Sequence, residues 1–250
     1  MKKLFLATTA FVVLAAASAG AADLSRPAYA PPPPPVYSWT GIYWGGNVGY
    51  SWGQSKNDHT GSLVGLGVNV QESQDVDGVI GGVQTGYNYQ FGNWVFGLET
   101  DIQASGQKGG STFPVLALPP TALTTDHKLE WFGTTRPRLG FLATPNLLLY
   151  GTAGVAYGQT KDTYTANTAG VGTVATASVN DVRAGWTAGG GIEGAFGGGW
   201  SAKVEYLYLD LGKLEQMVTI PPAALTATFN SRLTDNIVRV GLNYKWGGGY

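Results

Sequence analysis

The sequence predicts an all-β chain: eight antiparallel strands closed into a transmembrane β-barrel, with short turns at one rim and four long loops at the other. Three observations lead there. Side chains alternate in size and polarity with a period of two over eight stretches. The charges in those stretches fall on the parity opposite to the large apolar residues. The connections alternate between tight turns and polar segments of roughly twenty residues, the arrangement of barrels that cross an outer membrane.

The first stretch, Trp39 to Gly53, sets the rule. Ile42, Trp44, Val48, Tyr50 and Trp52 are large, while Gly45, Asn47, Gly49 and Ser51 are small or polar. Successive strand side chains point to opposite faces, so one face is apolar and the other polar. A second strand, Gly78 to Phe91, sets Val79, Val83, Tyr87, Tyr89 and Phe91 against Gly82, Gln84, Asn88 and Gln90, and turns at Gly92-Asn93. The third, Trp94 to Ala104, points Trp94, Phe96, Leu98 and Ile102 outward and Glu99, Asp101 and Gln103 inward. The fourth, Leu129 to Phe141, opposes Leu129, Trp131, Leu139 and Phe141 to Glu130, Thr134, Arg136 and Arg138, with its turn at Thr144-Pro145-Asn146.

Glycine and alanine dilute the next two. In Leu147 to Tyr157 the shared parity is Leu147, Leu149, Val155 and Tyr157; in Val182 to Phe196 it is Val182, Trp186, Ile192 and Phe196, opposite Arg183, Thr187 and Glu193. After Gly197-Gly198-Gly199, the strand Trp200 to Tyr208 has Trp200, Val204, Tyr206 and Tyr208 outward and Lys203 and Glu205 inward. The last, Asn236 to Trp246, has Val238, Val240, Leu242, Tyr244 and Trp246 outward against Arg239, Asn243 and Lys245. The long connections are Gln54 to Asp75, Ser105 to Lys128, Gln159 to Asp181 and Asp210 to Thr234, expected as extracellular loops.

The charges decide which face meets lipid. Glu99, Asp101, Glu130, Arg136, Arg138, Arg183, Glu193, Lys203, Glu205, Arg239 and Lys245 all take the inward parity. An Arg or Lys facing lipid at mid-membrane costs about 2 to 4 kcal/mol, so a lipid-facing wall excludes them. A soluble barrel shows the reverse order. The aromatic residues Trp44, Tyr87, Trp94, Trp131, Trp186, Trp200, Tyr244 and Trp246 are expected to face the membrane, several near strand ends as interfacial belts require.

Composition agrees. The 250 residues include 38 glycines and no cysteine, with 12% charged residues and a formal net charge of -1. Such balance lacks the basic stripe that nucleic acid demands, and without cysteine there is no disulfide or thiolate metal site. Lys2 and Lys3, the apolar run Leu4 to Ala17 and the small-residue exit read as a signal peptide over residues 1–22. Residues 23–38, with Pro31 to Pro35, read as a proline-rich periplasmic linker. Residues 39–250 form the barrel, and an even strand count leaves both its ends in the periplasm.

Ser38-Trp-Thr-Gly-Ile-Tyr-Trp-Gly-Gly-Asn-Val-Gly-Tyr50, Lys203-Val-Glu-Tyr-Leu-Tyr208 and Val238-Arg-Val-Gly-Leu-Asn-Tyr-Lys245 resemble the OmpA-like eight-stranded outer-membrane barrels, more narrowly the alphaproteobacterial RopB-type surface protein group. The resemblance implies a place in the outer membrane, among its lipids and lipopolysaccharide, reached through the barrel assembly machinery. It implies no chemistry. Two departures stand out. Arg136-Pro137-Arg138 puts a proline, which cannot donate to a sheet ladder, inside a strand, and a local bulge is expected there. Gly247-Gly248-Gly249-Tyr250 follows Trp246, so either aromatic could serve as the terminal assembly signal the resemblance implies.

Catalytic motifs fail on context. Gly49-Tyr50-Ser51-Trp52-Gly53 matches a nucleophile elbow, and Gly189-x-Gly191-x-x-Gly194 a dinucleotide fingerprint, but each needs a strand-to-helix turn and both lie in strands. No enzyme is expected. His59 and His127, each beside an aspartate in an expected loop, are candidate metal or haem ligands, haem binding being known among barrels of the resembled class. Two histidines cannot close a structural zinc site, so no metal and no cofactor is expected. An eight-stranded barrel is only wide enough for its own side chains to fill, so the inward charges read as a mutually compensated plug. The function expected is a structural outer-membrane protein that supports envelope integrity and displays its loops. A small porin is the first alternative, and surface capture of haem or another ligand the second.

Overall fold

A computed structural model describes residues 37–63, 66–115, 121–220 and 225–246. The expected signal peptide, most of the linker and Gly247 to Tyr250 lie outside the described residues. The strands are β1 (Gly41–Leu63), β2 (Leu66–Phe91), β3 (Trp94–Ser105), β4 (Lys108–Val115), β5 (Thr121–Thr144), β6 (Leu147–Thr168), β7 (Gly172–Gly197), β8 (Trp200–Ile220) and β9 (Leu225–Lys245). Every pairing is antiparallel, and β1 meets both β2 and β9, which closes the ring. β3 and β4 form one interrupted stave, since both pair with β2 on one side and β5 on the other. The ring therefore has the eight staves expected from the sequence.

The alternation sorts the side chains as charge and lipid require. Trp44, Tyr87, Trp94, Trp186, Trp200, Tyr244 and Trp246 are exposed on the outer wall, with Val48, Val83, Leu98, Ile192 and Val240 between them. A soluble protein does not expose an apolar surface of this extent. Ring contacts knit the belts: Trp94–Phe141 and Trp200–Tyr244 at the short-turn rim, with centroids 5.3 and 5.0 Å apart, and Trp131–Tyr157 and Trp186–Tyr208 at the other, at 6.4 and 5.3 Å.

The long connections differ from expectation. Most of each is strand: β1 and β2 stay paired to Leu63↔Leu66, and β6 and β7 to Thr168↔Gly172. The staves are 21 to 26 residues long, about twice what a tilted transmembrane strand needs. The reason lies in composition: the last three of these segments carry four to six β-branched threonines each and the first carries three valines, and ladder pairing satisfies a backbone that a loop would leave to water. Cross-strand pairs such as Thr112–Thr124 at 3.2 Å and Thr163–Ser178 at 3.4 Å fit that account.

Two further corrections concern β5. No bulge forms at Pro137: the register with β6 is the same at Thr135↔Val155 and Arg138↔Thr152, and only the bridges at 136 and 137 drop out. Proline withholds one N–H without displacing the chain, and the Thr152 hydroxyl donates to the Pro137 carbonyl at 2.8 Å. The register shifts instead between Leu129 and Trp131. That slip reverses parity, so Leu129 is buried inside the ring and Glu130 stands exposed outside it, the opposite of the sequence reading.

Candidate functional site: a sealed charge network in the lumen

The only dense assembly of chemically active side chains among the described residues fills the barrel. Arg136, Arg138, Lys203 and Arg239 meet Glu99, Asp101, Glu193 and Glu205, all buried. Arg136 reaches Glu99 at 2.8 Å, Asp101 at 2.9 Å and Glu205 at 3.1 Å. Arg239 reaches Asp101 at 2.9 Å and Glu205 at 2.6 Å. Arg138 pairs with Glu193 at 2.7 Å, and Lys203 straddles the Glu99 carboxylate at 2.7 and 2.8 Å. Four cations balance four carboxylates. That matters because an unpaired charge removed from water costs several kcal/mol.

Neutral donors extend the network. The Tyr43 hydroxyl donates to Glu99 at 2.7 Å and accepts from Arg138 at 3.0 Å. Arg138 stacks over the Tyr150 ring at 4.0 Å, and the Tyr150 hydroxyl donates to Glu205 at 3.1 Å. Ser201 and the Asn243 amide donate to Glu193 at 2.6 and 2.8 Å, and the Gln84 amide donates to Asn243 at 2.7 Å. Every stave contributes a member. Two glycines make room: a Cβ on Gly154 would meet the Thr135 carbonyl at 2.2 Å and the Arg136 Cα at 2.8 Å, and one on Gly191 would meet the Tyr150 hydroxyl at 2.7 Å. The dinucleotide-like glycines thus lie in a strand, two of them crowded against neighbouring strands.

Apolar layers close the network from both sides. Toward the outer rim lie Ile80, Phe132, Ala156, Leu207, Leu209 and Ile237, with Leu207 and Ile237 one inward step beyond Glu205 and Arg239 on their strands. Toward the short-turn rim, Trp39 packs with Val95, Leu142, Leu148, Tyr150 and Ala195, and Tyr37 covers it edge-on at 5.1 Å. The Trp39 backbone N–H donates to Gln90 at 2.9 Å and its indole N–H to the Pro145 carbonyl at 3.1 Å. Tyr37 and Ser38, the end of the expected linker, belong to this floor.

The remaining sequence candidates sit elsewhere. Glu130 is on the outer wall, where its carboxylate accepts a hydrogen bond from Gln159 at 3.4 Å. Lys245 points inward but below the network, donating to the Ser38 carbonyl with its ammonium 4.6 Å from the Tyr37 ring. Arg183 is buried higher up, on β7 opposite Gly158. Ser51 of the elbow-like motif is buried and donates to Asp235, with the Gln107 amide donating to the same carboxylate at 2.6 Å. The backbones of His59 and His127 lie on β1 and β5, paired with β2 and β9 and with β4 and β6 respectively, so they occupy different parts of the ring; their side chains lie outside the described residues. Among the described residues no three His, Asp or Glu side chains group as metal ligands.

Sequence reasoning passed over Trp39, Tyr43, Tyr150 and the upper apolar layer. Parity would have found the first three, since each has the inward parity of its strand.

Comparison with known proteins agrees with this architecture. Residues 9–245 match the family model described as outer membrane protein beta-barrel domain. The chain is 40% identical over 253 residues to the 31 kDa outer-membrane immunogenic protein of Brucella melitensis, covering 98% of this chain and 100% of that one. It is 29% identical to the 22 kDa outer membrane protein of Rhizobium leguminosarum, covering 86% and 82%. Among solved structures, the outer membrane protein OprG of Pseudomonas aeruginosa is similar with a TM-score of 0.48 at 12% identity, over 82% of this chain and 97% of that one. The chain belongs to the outer membrane protein β-barrel family, within its alphaproteobacterial group, and resides in the cell outer membrane.

Proposed function

We propose that the protein is a non-conducting, non-enzymatic wall element of the outer membrane, which strengthens the envelope and carries long β-hairpins above it. The observation behind this reading is the neutral charge network packed between two apolar layers. Ions would have to break several buried pairs and cross the upper layer, and no step of transport supplies that energy. The network ties all eight staves together, which is what a structural barrel needs. Catalysis would require a nucleophile and a base that meet a substrate, and Ser51 is instead buried against Asp235 and Gln107. In this role the partners are the lipids and lipopolysaccharide around the wall and the machinery that assembles it. The test is single-channel recording of the mature chain refolded into a planar bilayer, with folding verified by the gel mobility of unheated against boiled protein. A folded and silent barrel is expected. Steady opening would replace this reading with that of a small porin.

A further inference from the structure

The chain has 15 lysines and arginines. Lys2, Lys3 and Arg26 precede the barrel, and Arg136, Arg138, Arg183, Lys203, Arg239 and Lys245 are buried within it. Every other cation falls into one of two lateral rows. In the first, Lys108 lies directly opposite Lys128, and Lys128 directly opposite Lys161, across β4, β5 and β6. In the second, Lys56 lies opposite Arg232, and Arg232 opposite Lys213, across β1, β9 and β8. Directly opposed residues in an antiparallel pair share a face. Lys108, Lys128, Lys56, Lys213 and Arg232 are exposed and Lys161 half-buried, on the outer wall.

Like charges directly opposite one another destabilise a sheet. Two such rows, each three strands wide, are a poor arrangement for a wall that meets only water. Nearby acids relieve them in part: Asp77 lies opposite Lys108, Asp126 and Glu130 flank Lys128 on the same face, and Arg232 pairs with Asp210 at 2.5 Å. None of the five lysines makes an ion pair with these acids among the described residues.

Their height names the counter-charge. Lys56 is four residues beyond Trp52 of the outer aromatic belt, Lys161 four beyond Tyr157, and Lys128 three before Trp131. Four residues of strand tilted by about 40° rise roughly 10 Å above the belt, within reach of the headgroup layer for a lysine stem that can bend back. We infer that the two rows form a girdle that binds the phosphate groups of the glycolipid in the outer leaflet, each phosphate bridging cations of neighbouring strands. The inference rests on the reading of the chain as an outer-membrane wall element and gives that wall a specific lipid contact. It leaves the lumen untouched, so conductance tests the earlier reading separately.

The experiment uses the mature barrel in detergent, titrated with bisphosphorylated lipid A, with the same lipid dephosphorylated, and with soluble inorganic polyphosphate. The protein is compared with the variants K108Q/K128Q/K161Q and K56Q/K213Q, the second sparing Arg232 and its pair with Asp210. Gel mobility of unheated samples shows that each is folded. Expected is at least about tenfold tighter binding of the phosphorylated lipid than of its dephosphorylated form, a preference that each variant reduces and that added salt weakens. Equal binding of the two lipids, or folded variants with undiminished preference, would overturn the inference. So would soluble polyphosphate binding as tightly as the phosphorylated lipid, because the rows would then be a general polyanion surface.

Discussion

Glu99 is the carboxylate on which the lumen network converges, and neutralising it tests whether charge balance holds the barrel together. Its oxygens lie 2.7 and 2.8 Å from Lys203, 2.8 Å from Arg136, 3.5 Å from Arg138 and 3.6 Å from Arg239, and accept the Tyr43 hydroxyl at 2.7 Å. Glu99→Gln keeps the volume and removes one charge, leaving four buried cations against three carboxylates. Breaking a buried pair by removing one partner costs about 3 to 5 kcal/mol, because the survivor stays desolvated. The loss should appear as a lower urea midpoint for the refolded barrel, read by tryptophan fluorescence and by gel mobility.

The decisive comparison is the charge-balanced double variant Glu99→Gln/Lys203→Met. Lys203 makes both of its close contacts with Glu99, so removing the two together restores neutrality and leaves no buried ammonium without its carboxylate. The double variant should recover more than half of the single loss, a coupling of about 2 kcal/mol or more for residues in direct contact. A Glu99→Gln barrel within about 1 kcal/mol of the original, or additive losses in the double, would refute the argument. Either result would mean that water reaches the network and screens it.

Three other outcomes follow from the same geometry. Trp39→Ala removes the floor indole and should cost about 3 to 5 kcal/mol in urea unfolding, while the barrel stays electrically silent because the ion pairs and upper apolar layer remain. Gly191→Val sets a Cβ 2.5 Å from the Val204 carbonyl and 2.7 Å from the Tyr150 hydroxyl, and should leave the refolded yield low and the gel shift absent; efficient refolding would show that β8 and Tyr150 have room to move. Asp235 lies just beyond the outer belt, where burial, only partly offset by hydrogen bonds from Ser51 and Gln107, pushes its carboxyl up from the ordinary 3.8 to about 6. A folded value above the unfolded one means the fold gains stability as pH falls from about 6 to about 4, and at neutral pH the carboxylate costs about 3 kcal/mol. Asp235→Asn should therefore stabilise the barrel at pH 7 and flatten that part of the pH profile; a variant less stable at pH 7 would contradict this.

The ring of eight staves was legible because lipid outside and charge inside write opposite signs on alternate residues. Arg136, Glu99, Lys203 and Arg239 all stand where parity puts them. Parity fails where the ladder slips: the bulge between Leu129 and Trp131 exchanges the faces of Leu129 and Glu130, and no residue type in that stretch announces it. Pro137 shows the converse, a visible disruption that the strand absorbs because β6 continues in register on both sides. The extended hairpins were hidden for another reason. Polar segments, three of the four threonine-rich, read as loops when judged by hydrophobicity, yet above the membrane both faces of a strand meet water and no apolar alternation is required.

That same change of solvent along each stave explains the distribution of charge. Between the aromatic belts, lipid outside forces cations inward, and the narrow lumen then sets Arg136, Arg138, Lys203 and Arg239 against carboxylates, so that network is neutral and pinned. Above the belts the constraint on the wall is lifted, and the remaining lysines and Arg232 stand outward. They are not scattered over the wall, as solubility alone would allow, but aligned across neighbouring strands near the height where the aromatic belt ends. Alignment of like charge is unfavourable in isolation, so its favourable counterpart must come from something anionic that meets several strands at once. A leaflet whose headgroups carry phosphate satisfies that requirement near that height, whereas a small soluble anion gives no reason for the six cations to stand in two rows. On that inference the barrel is held to its membrane twice, by apolar contact below and by charge above.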